Sequence, residues 1–263
     1  MQAAAIIEHI VNWLRDYATQ SNCKGFVVGV SGGIDSAVAS TLAAQTGLPT
    51  LVLELPIHQK VNQIARAQEH IRQLKSRFSN IQSNSIDLTS TFDSFTIAVD
   101  VADKNEQQTQ LALANARSRL RMITLYYYAQ QNGLLVVGTG NKIEDFGVGF
   151  FTKYGDGGVD LSPIADLLKS QVYALAKELN IDQKIIDAPP TDGLWDADKT
   201  DEEQIGATYP ELEWAMSIYD THKIDDFTGR EREVFAIYDR YHRAMQHKIN
   251  PIPVCKIPPE LLN

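Results

Sequence analysis

Ser31-Gly32-Gly33-Ile34-Asp35-Ser36 is the first cluster in this chain whose residue types could do chemistry. It lies between an apolar run, Gly25 to Val30, and a small-residue stretch, Ala37 to Thr46, that reads as a helix ended by Gly47. Gly29 and Val30 lead into the loop, where Gly32 and Gly33 let the backbone approach an anion. Ser31, Ser36 and the free N–H groups of the following helix can then bind it, which makes a phosphate cradle. It has neither the Walker spacing nor the GxGxxG of a dinucleotide fingerprint. An acid among phosphate-binding amides is repelled by the ligand unless a cation intervenes, so Asp35 reads as a Mg²⁺ ligand. The plainer alternative is a turn in which Asp35 supports the helix N-terminus. A second loop, Gly138 to Glu144, follows another apolar run, Leu134 to Val137. Cations gather in three places: Arg117, Arg119 and Arg121; Lys153 with Lys169; and His247 with Lys248. Each is either a local site for a polyphosphate or a solvated face.

The elements that must position these loops follow from apolar spacing. Strands are expected at 25–30, 50–55, 134–137 and, more weakly, at 85–88, followed by a polar region. Helices are expected at the N-terminus, along the stripe Val61, Ile64, Ile71, Leu74, Phe78, over 108–131, over 169–179, and around Val234, Tyr238, Tyr241 and Met245. Residues 187–204 read as an acidic, Pro-containing loop. Strands alternating with helices predict an α/β fold, a Rossmann-like parallel sheet with helices on both faces and ligands at the carboxyl ends of the strands. The 108–131 helix carries apolar residues on several faces, as at a subunit interface. One domain over 1–263 is expected.

The net charge of −9 disfavours nucleic-acid binding. No apolar stretch approaches the ~20 residues of a membrane span, and no signal pattern opens the chain. Cys23 and Cys255 have no metal or redox spacing, which fits a cytoplasmic protein.

SGGxDS after a first strand resembles the pyrophosphate loop of the N-type ATP pyrophosphatases, which adenylate a substrate. Gly138 to Glu144, FFTKYGDGGVDLSPI at 150–164 and LLKSQVYALAKEL at 167–179 narrow the likeness to the NAD synthetase family. The resemblance runs from about Gly25 to Lys248 and implies an adenine nucleotide alpha hydrolase-like version of the fold. It implies amidation of deamido-NAD by ATP and ammonia through an acyl adenylate, releasing AMP and pyrophosphate. Glu144 becomes the second Mg²⁺ carboxylate, while Thr139, Lys169 and Thr191 become ATP contacts. Lys169 would also offset charge growing on the phosphates. Arg119, Lys153, Asp160, His247 and Lys248 become deamido-NAD contacts in a site built across a homodimer interface. Asn115, four residues from Arg119 and so on the same helical face, joins them. Asp156 is a candidate to hold ammonium and take its proton, or only to cap a turn.

Where many family members have Asp, this chain has Gly193 after Asp192, which leaves that carboxylate's role open. The chain opens almost directly on the ATP domain, so free ammonia rather than a fused glutaminase domain is the expected nitrogen source. The rivals are another amidating member such as a GMP synthetase, which would lack FFTKYGDGG, and a non-catalytic nucleotide binder, against which Asp35, Glu144 and Lys169 together speak. Residues 145–160 and 187–204 are expected to order when both nucleotides bind.

Overall fold

Phe26 and Val28 face one side of the first strand and Val27 the other, and each side meets a different core. The computed structural model describes residues 1–101, 106–191 and 200–262. Gly25–Gly29 forms β1, Thr50–Glu54 β2, Ile81–Ser85 β3 and Leu134–Val137 β4. All pair in parallel, in the order β3-β2-β1-β4. The helices are α1 (Ala3–Gln20), α2 (Ile34–Gln45), α3 (Val61–Arg77), α4 (Thr89–Ala98), α5 (Gln107–Asn132) and α6 (Lys169–Glu178). There follow α7 (Gln183–Ile186), α8 (Asp201–Ile205), α9 (Tyr209–Ile218), α10 (Gly229–Ala244) and α11 (Gln246–Ile249). A π-helical segment, Ile143–Val148, follows β4.

Phe26, Val28, Leu135 and Val137 pack with Leu14 of α1, Leu42 of α2 and Leu175 of α6. Val27, Leu51, Leu53 and Val136 pack on the opposite face with Phe92 of α4 and Ala129 of α5. A third core joins Ile143 and Val148 to Tyr209 and Leu212 of α9 and Val234 and Tyr238 of α10, so the C-terminal helices are built onto the segment after β4. The chain steps from β1 outward to β2 and β3, then returns to β4 on the other side of β1. The carboxyl ends of β1 and β4 are therefore the switch point where α/β sheets bind ligands, and both sequence-predicted loops leave from there. Among the described residues no helix is long and apolar enough to cross a membrane.

Several expectations need correcting. The fourth strand lies at Ile81–Ser85, not 85–88. As an edge strand it keeps only Ile81 buried, so its position follows from backbone pairing with β2 rather than from apolar spacing. The polar region after it contains α4, and α9 was not anticipated. Helix α2 starts at Ile34, which places Asp35 in its first turn. Val61 is exposed and leaves the α3 stripe, where Ala67 and His70 are buried beside Leu74. Residues 143–158 carry the π-helical segment and hydrogen-bonded turns, whereas Asp192, Gly193 and Trp195 lie outside the described residues.

Candidate active site

The phosphate loop is shaped by one glycine above all. Gly32 has φ +82°, and a Cβ there would meet the Gln63 carbonyl oxygen of α3 at 2.7 Å, so any side chain is doubly opposed. Arg66 Nε, also from α3, donates to the Gly32 carbonyl at 3.3 Å. Ser36 Oγ donates to the Gly33 carbonyl at 2.9 Å, and the Gly33 amide donates to Ser31 Oγ at 3.2 Å. No side chain caps the N-terminus of α2, so its first amides face the cleft where an anion would lie.

Lys169, the first residue of α6, points across this loop and is 2% exposed. Its Nζ donates to Asp35 Oδ2 at 2.5 Å and to Glu144 Oε1 at 3.0 Å. The three come from different elements: α2 after β1, the π-helical segment after β4, and α6. Asn141 fixes the geometry by donating to Asp35 Oδ1 at 3.3 Å and accepting from the Ile143 and Glu144 amides. Tyr209, at the start of α9, donates its hydroxyl to Glu144 Oε1 at 2.6 Å, and its ring lies 4.7 Å from Lys169 Nζ. Burial alone would lower the Lys169 ammonium, but Asp35 and Glu144 outweigh it and hold the group well above its ordinary range. Burial raises the Asp35 carboxyl; Lys169 opposes that and Glu144 adds to it. Two carboxylates around one ammonium leave a net negative charge.

The other end of the cleft is basic. Arg119 of α5 donates Nε and Nη2 to the Lys153 carbonyl at 3.3 and 3.2 Å. Lys153 Nζ donates in turn to the His247 carbonyl, and Lys248 Nζ donates to the Phe151 carbonyl at 2.6 Å. Asn115 accepts from Thr152 Oγ1 at 2.6 Å. Helix α11 thus brings His247 and Lys248 back against the turn at 151–153. Next to it, Asp156 Oδ1 accepts from Ser118 Oγ at 2.6 Å and from the Thr152 amide at 3.0 Å. Asp156 is open to the cleft, but surrounding protein raises its carboxyl, with the Ser118 and Thr152 bonds opposing. Asp145, beside Glu144, is pushed up well above the ordinary range by burial and then by Glu144, Asp156 and Asp35.

One cleft of 1640 Å³ joins the two ends, and Gly29, Val30, Ser31, Gly33, Ile34, Asp35, Ser36, Thr139, Glu144, Lys169 and Thr191 line it together with Asn115, Arg119, Lys153, Asp156, His247 and Lys248. Gly32 packs behind the loop against α3. Asp160 does not line the cleft: its carboxylate accepts from the Val136 amide at 2.8 Å and the Tyr126 hydroxyl at 3.0 Å, tying the segment back to β4 and α5. Sequence reasoning gave no role to Tyr209, Asn141, Ser118 or Asp145. Only Asn141 and Asp145 had a usable signal, since they flank Glu144 directly after a strand.

A family model described as NAD synthase matches residues 6–251. The chain belongs to the NAD synthase family. Among similar relatives, the NH(3)-dependent NAD(+) synthetase of Mesoplasma florum is 36% identical over 95% of this chain and 96% of its own. That of Syntrophomonas wolfei is 36% identical over 100% of both. The solved structure titled NMN synthetase from Francisella tularensis superposes with a TM-score of 0.84 at 34% identity, covering 98% of this chain and 100% of that one. The NH3-dependent NAD synthetase from Campylobacter jejuni gives a TM-score of 0.77 at 25% identity, over 97% and 100%. Membership agrees with the α/β sheet and makes the chain a ligase that forms carbon–nitrogen bonds.

Proposed function

We propose that this chain amidates the nicotinate carboxylate of deamido-NAD with ATP and ammonia, giving NAD, AMP and pyrophosphate in the last step of NAD formation. The observation that carries this reading is the single cleft with the phosphate loop and Lys169 at one end and Arg119, Lys153 and Lys248 at the other. Two polyphosphate substrates can meet there, in keeping with relatives named NH(3)-dependent NAD(+) synthetase.

The nicotinate carboxylate attacks the α phosphorus of ATP and pyrophosphate leaves, forming an acyl adenylate. Ammonia then attacks the acyl carbon, AMP leaves with the bond electrons, and the added nitrogen loses a proton. Lys169 offsets charge on the departing phosphates, and the α2 amides hold them. Asp156 accepts the proton or holds ammonium; its raised carboxyl and cleft exposure support either use. The donors Asp35 and Glu144 suit Mg²⁺, which takes one or two carboxylates beside substrate phosphates, and their uncompensated charge favours a cation there. When bound, the ion would neutralise pyrophosphate.

The likeness to the structure titled NMN synthetase favours one second reading, amidation of the nicotinate mononucleotide. Assembly as a homodimer is supported by exposed Leu111, Ile123 and Tyr127 on α5. Free Cys23 and Cys255 support a reducing cytoplasm.

Product analysis with Mg²⁺-ATP, comparing deamido-NAD with the mononucleotide and ammonium with glutamine, tests the acceptor and the nitrogen donor. NAD and AMP from deamido-NAD and ammonium are expected. NMN formed in preference to NAD would establish the second reading, and no amide from either acceptor would overturn both.

A further inference from the structure

Lys169 opens α6, so the direction of its ammonium depends on how the first turn of that helix is held. Leu168, the residue before the helix, has no side-chain acceptor to offer the amides of that turn. An acceptor comes instead from α9. Glu213 Oε1 accepts from the Ser170 amide at 2.8 Å, and Glu213 Oε2 accepts from the Ser170 hydroxyl at 2.8 Å. Two bonds from one carboxylate to one residue fix its orientation as well as its place.

Glu213 follows Tyr209 by one helical turn and so shares its face of α9. Tyr209 donates to Glu144 Oε1 and lies over Lys169 Nζ. One face of α9 therefore grips both partners of the buried ion pair, the carboxylate directly and the lysine through the residue after it. The brace is itself anchored. Leu212 and Ala215 of α9 are fully buried in the third core, and Arg230 of α10 donates to both carboxylate oxygens of Glu211. Ser170 is exposed and Glu213 half-buried, so water can take over both bonds when Glu213 is removed, and α6 is freed to shift without leaving a buried polar group unpaired.

We propose that Glu213 is a positioning residue for the adenylation step: by holding Ser170 it sets the first turn of α6 so that Lys169 Nζ stays aimed at the departing phosphates. This rests on the reading of the chain as an ATP-consuming ligase. Glu213 does not line the cleft, so its effect reaches the reaction only through Lys169. A group displaced by about 1 Å from its productive place can cost on the order of 10²-fold in rate, whereas a bond that only capped a helix would leave the rate alone.

The test is a double-mutant cycle on the full-length chain in the ammonium-dependent reaction, with E213A, K169M and the pair of them. E213A alone should lose roughly tenfold or more in kcat with KM for ATP nearly unchanged, and should lose nothing further in the K169M background. E213Q, whose amide can still accept from the Ser170 N–H and donate to its hydroxyl, should recover most of the rate. S170A keeps the amide bond and should lose only a few-fold, again absorbed by K169M, which keeps the question open to measurement if E213A does not fold. Losses that multiply in the double variant, a loss confined to KM, or a wild-type rate in folded E213A overturns the proposal. If wild type forms no amide at all, the ligase reading fails instead, and the same cycle read in the affinity for inorganic pyrophosphate with Mg²⁺ decides on Glu213 alone: E213A should weaken binding several-fold beside Lys169 and not at all beside K169M, and equal weakening in both backgrounds refutes it.

Discussion

Lys169 is where two carboxylates and a phosphate loop share one cation, so its removal is doubly costly. K169M leaves Asp35 and Glu144 facing each other without it. We expect kcat to fall by roughly 10²–10³-fold and stability by about 3 kcal/mol, measured by steady-state kinetics and urea unfolding. Tyr209→Phe keeps the ring over Lys169 and removes the hydroxyl's bonds to Glu144 at 2.6 Å and to Asp201 at 3.3 Å. That variant should fold with an unchanged melting point within a few degrees and lose about tenfold in kcat, because one restraint on Glu144 is gone. Asp35, Glu144 and Lys169 were legible as residue types in loops after strands or at a helix start, and resemblance linked them. Tyr209 was not, since a tyrosine opening a distant helix has no local pattern that ties it to a carboxylate 65 positions away.

At the level of elements, α2 and α3 are joined through a buried bond between Ser40 Oγ and His70 Nε2 at 2.9 Å. Burial, and then the charge of Arg77, lowers His70 to about 4. The unfolded imidazole titrates near 6.5, so between about 6.5 and 4 the unfolded chain binds a proton that the fold refuses. The contribution is complete above that window and shrinks as the pH falls through it, by about 3 kcal/mol. Urea midpoints at pH 7, 5.5 and 4.5 should decline more steeply for wild type than for H70Q; parallel declines would remove His70 as the cause. β1, β2 and β4 were legible because they are buried on both faces and read as unbroken apolar runs. β3 was displaced by several residues because its apolar neighbours, Ile86 and Leu88, belong to the connection that follows it. Helix α4 was missed because Thr89, Ser90, Asp93 and Ser94 dilute an apolar face of which only Phe92 and Thr96 are buried.

For the molecule as a whole, α5 is the element with most to explain. Only Ala114, Ser118 and Ala129 of its 26 residues are buried, while Ile123 and Tyr127 are 58% and 61% exposed. Ile123→Asp should therefore give a monomer in sedimentation and raise KM for deamido-NAD at least several-fold while leaving KM for ATP nearly unchanged; an unchanged dimer with unchanged constants would refute that use of α5. The apolar faces of α5 were legible in the sequence, but the fold-back of α11 was not, since contacts across so many positions have no periodic signature. That fold-back also orders events at the ribosome. Phe151 emerges 97 residues before the lysine that grips its carbonyl, an interval of about 5–20 s at ordinary translation speed. During that time the growing chain has its phosphate loop but no finished seat for the acceptor. A chain ended before Lys248 lacks the side chain that holds the Phe151 carbonyl, so the 151–153 turn forms last.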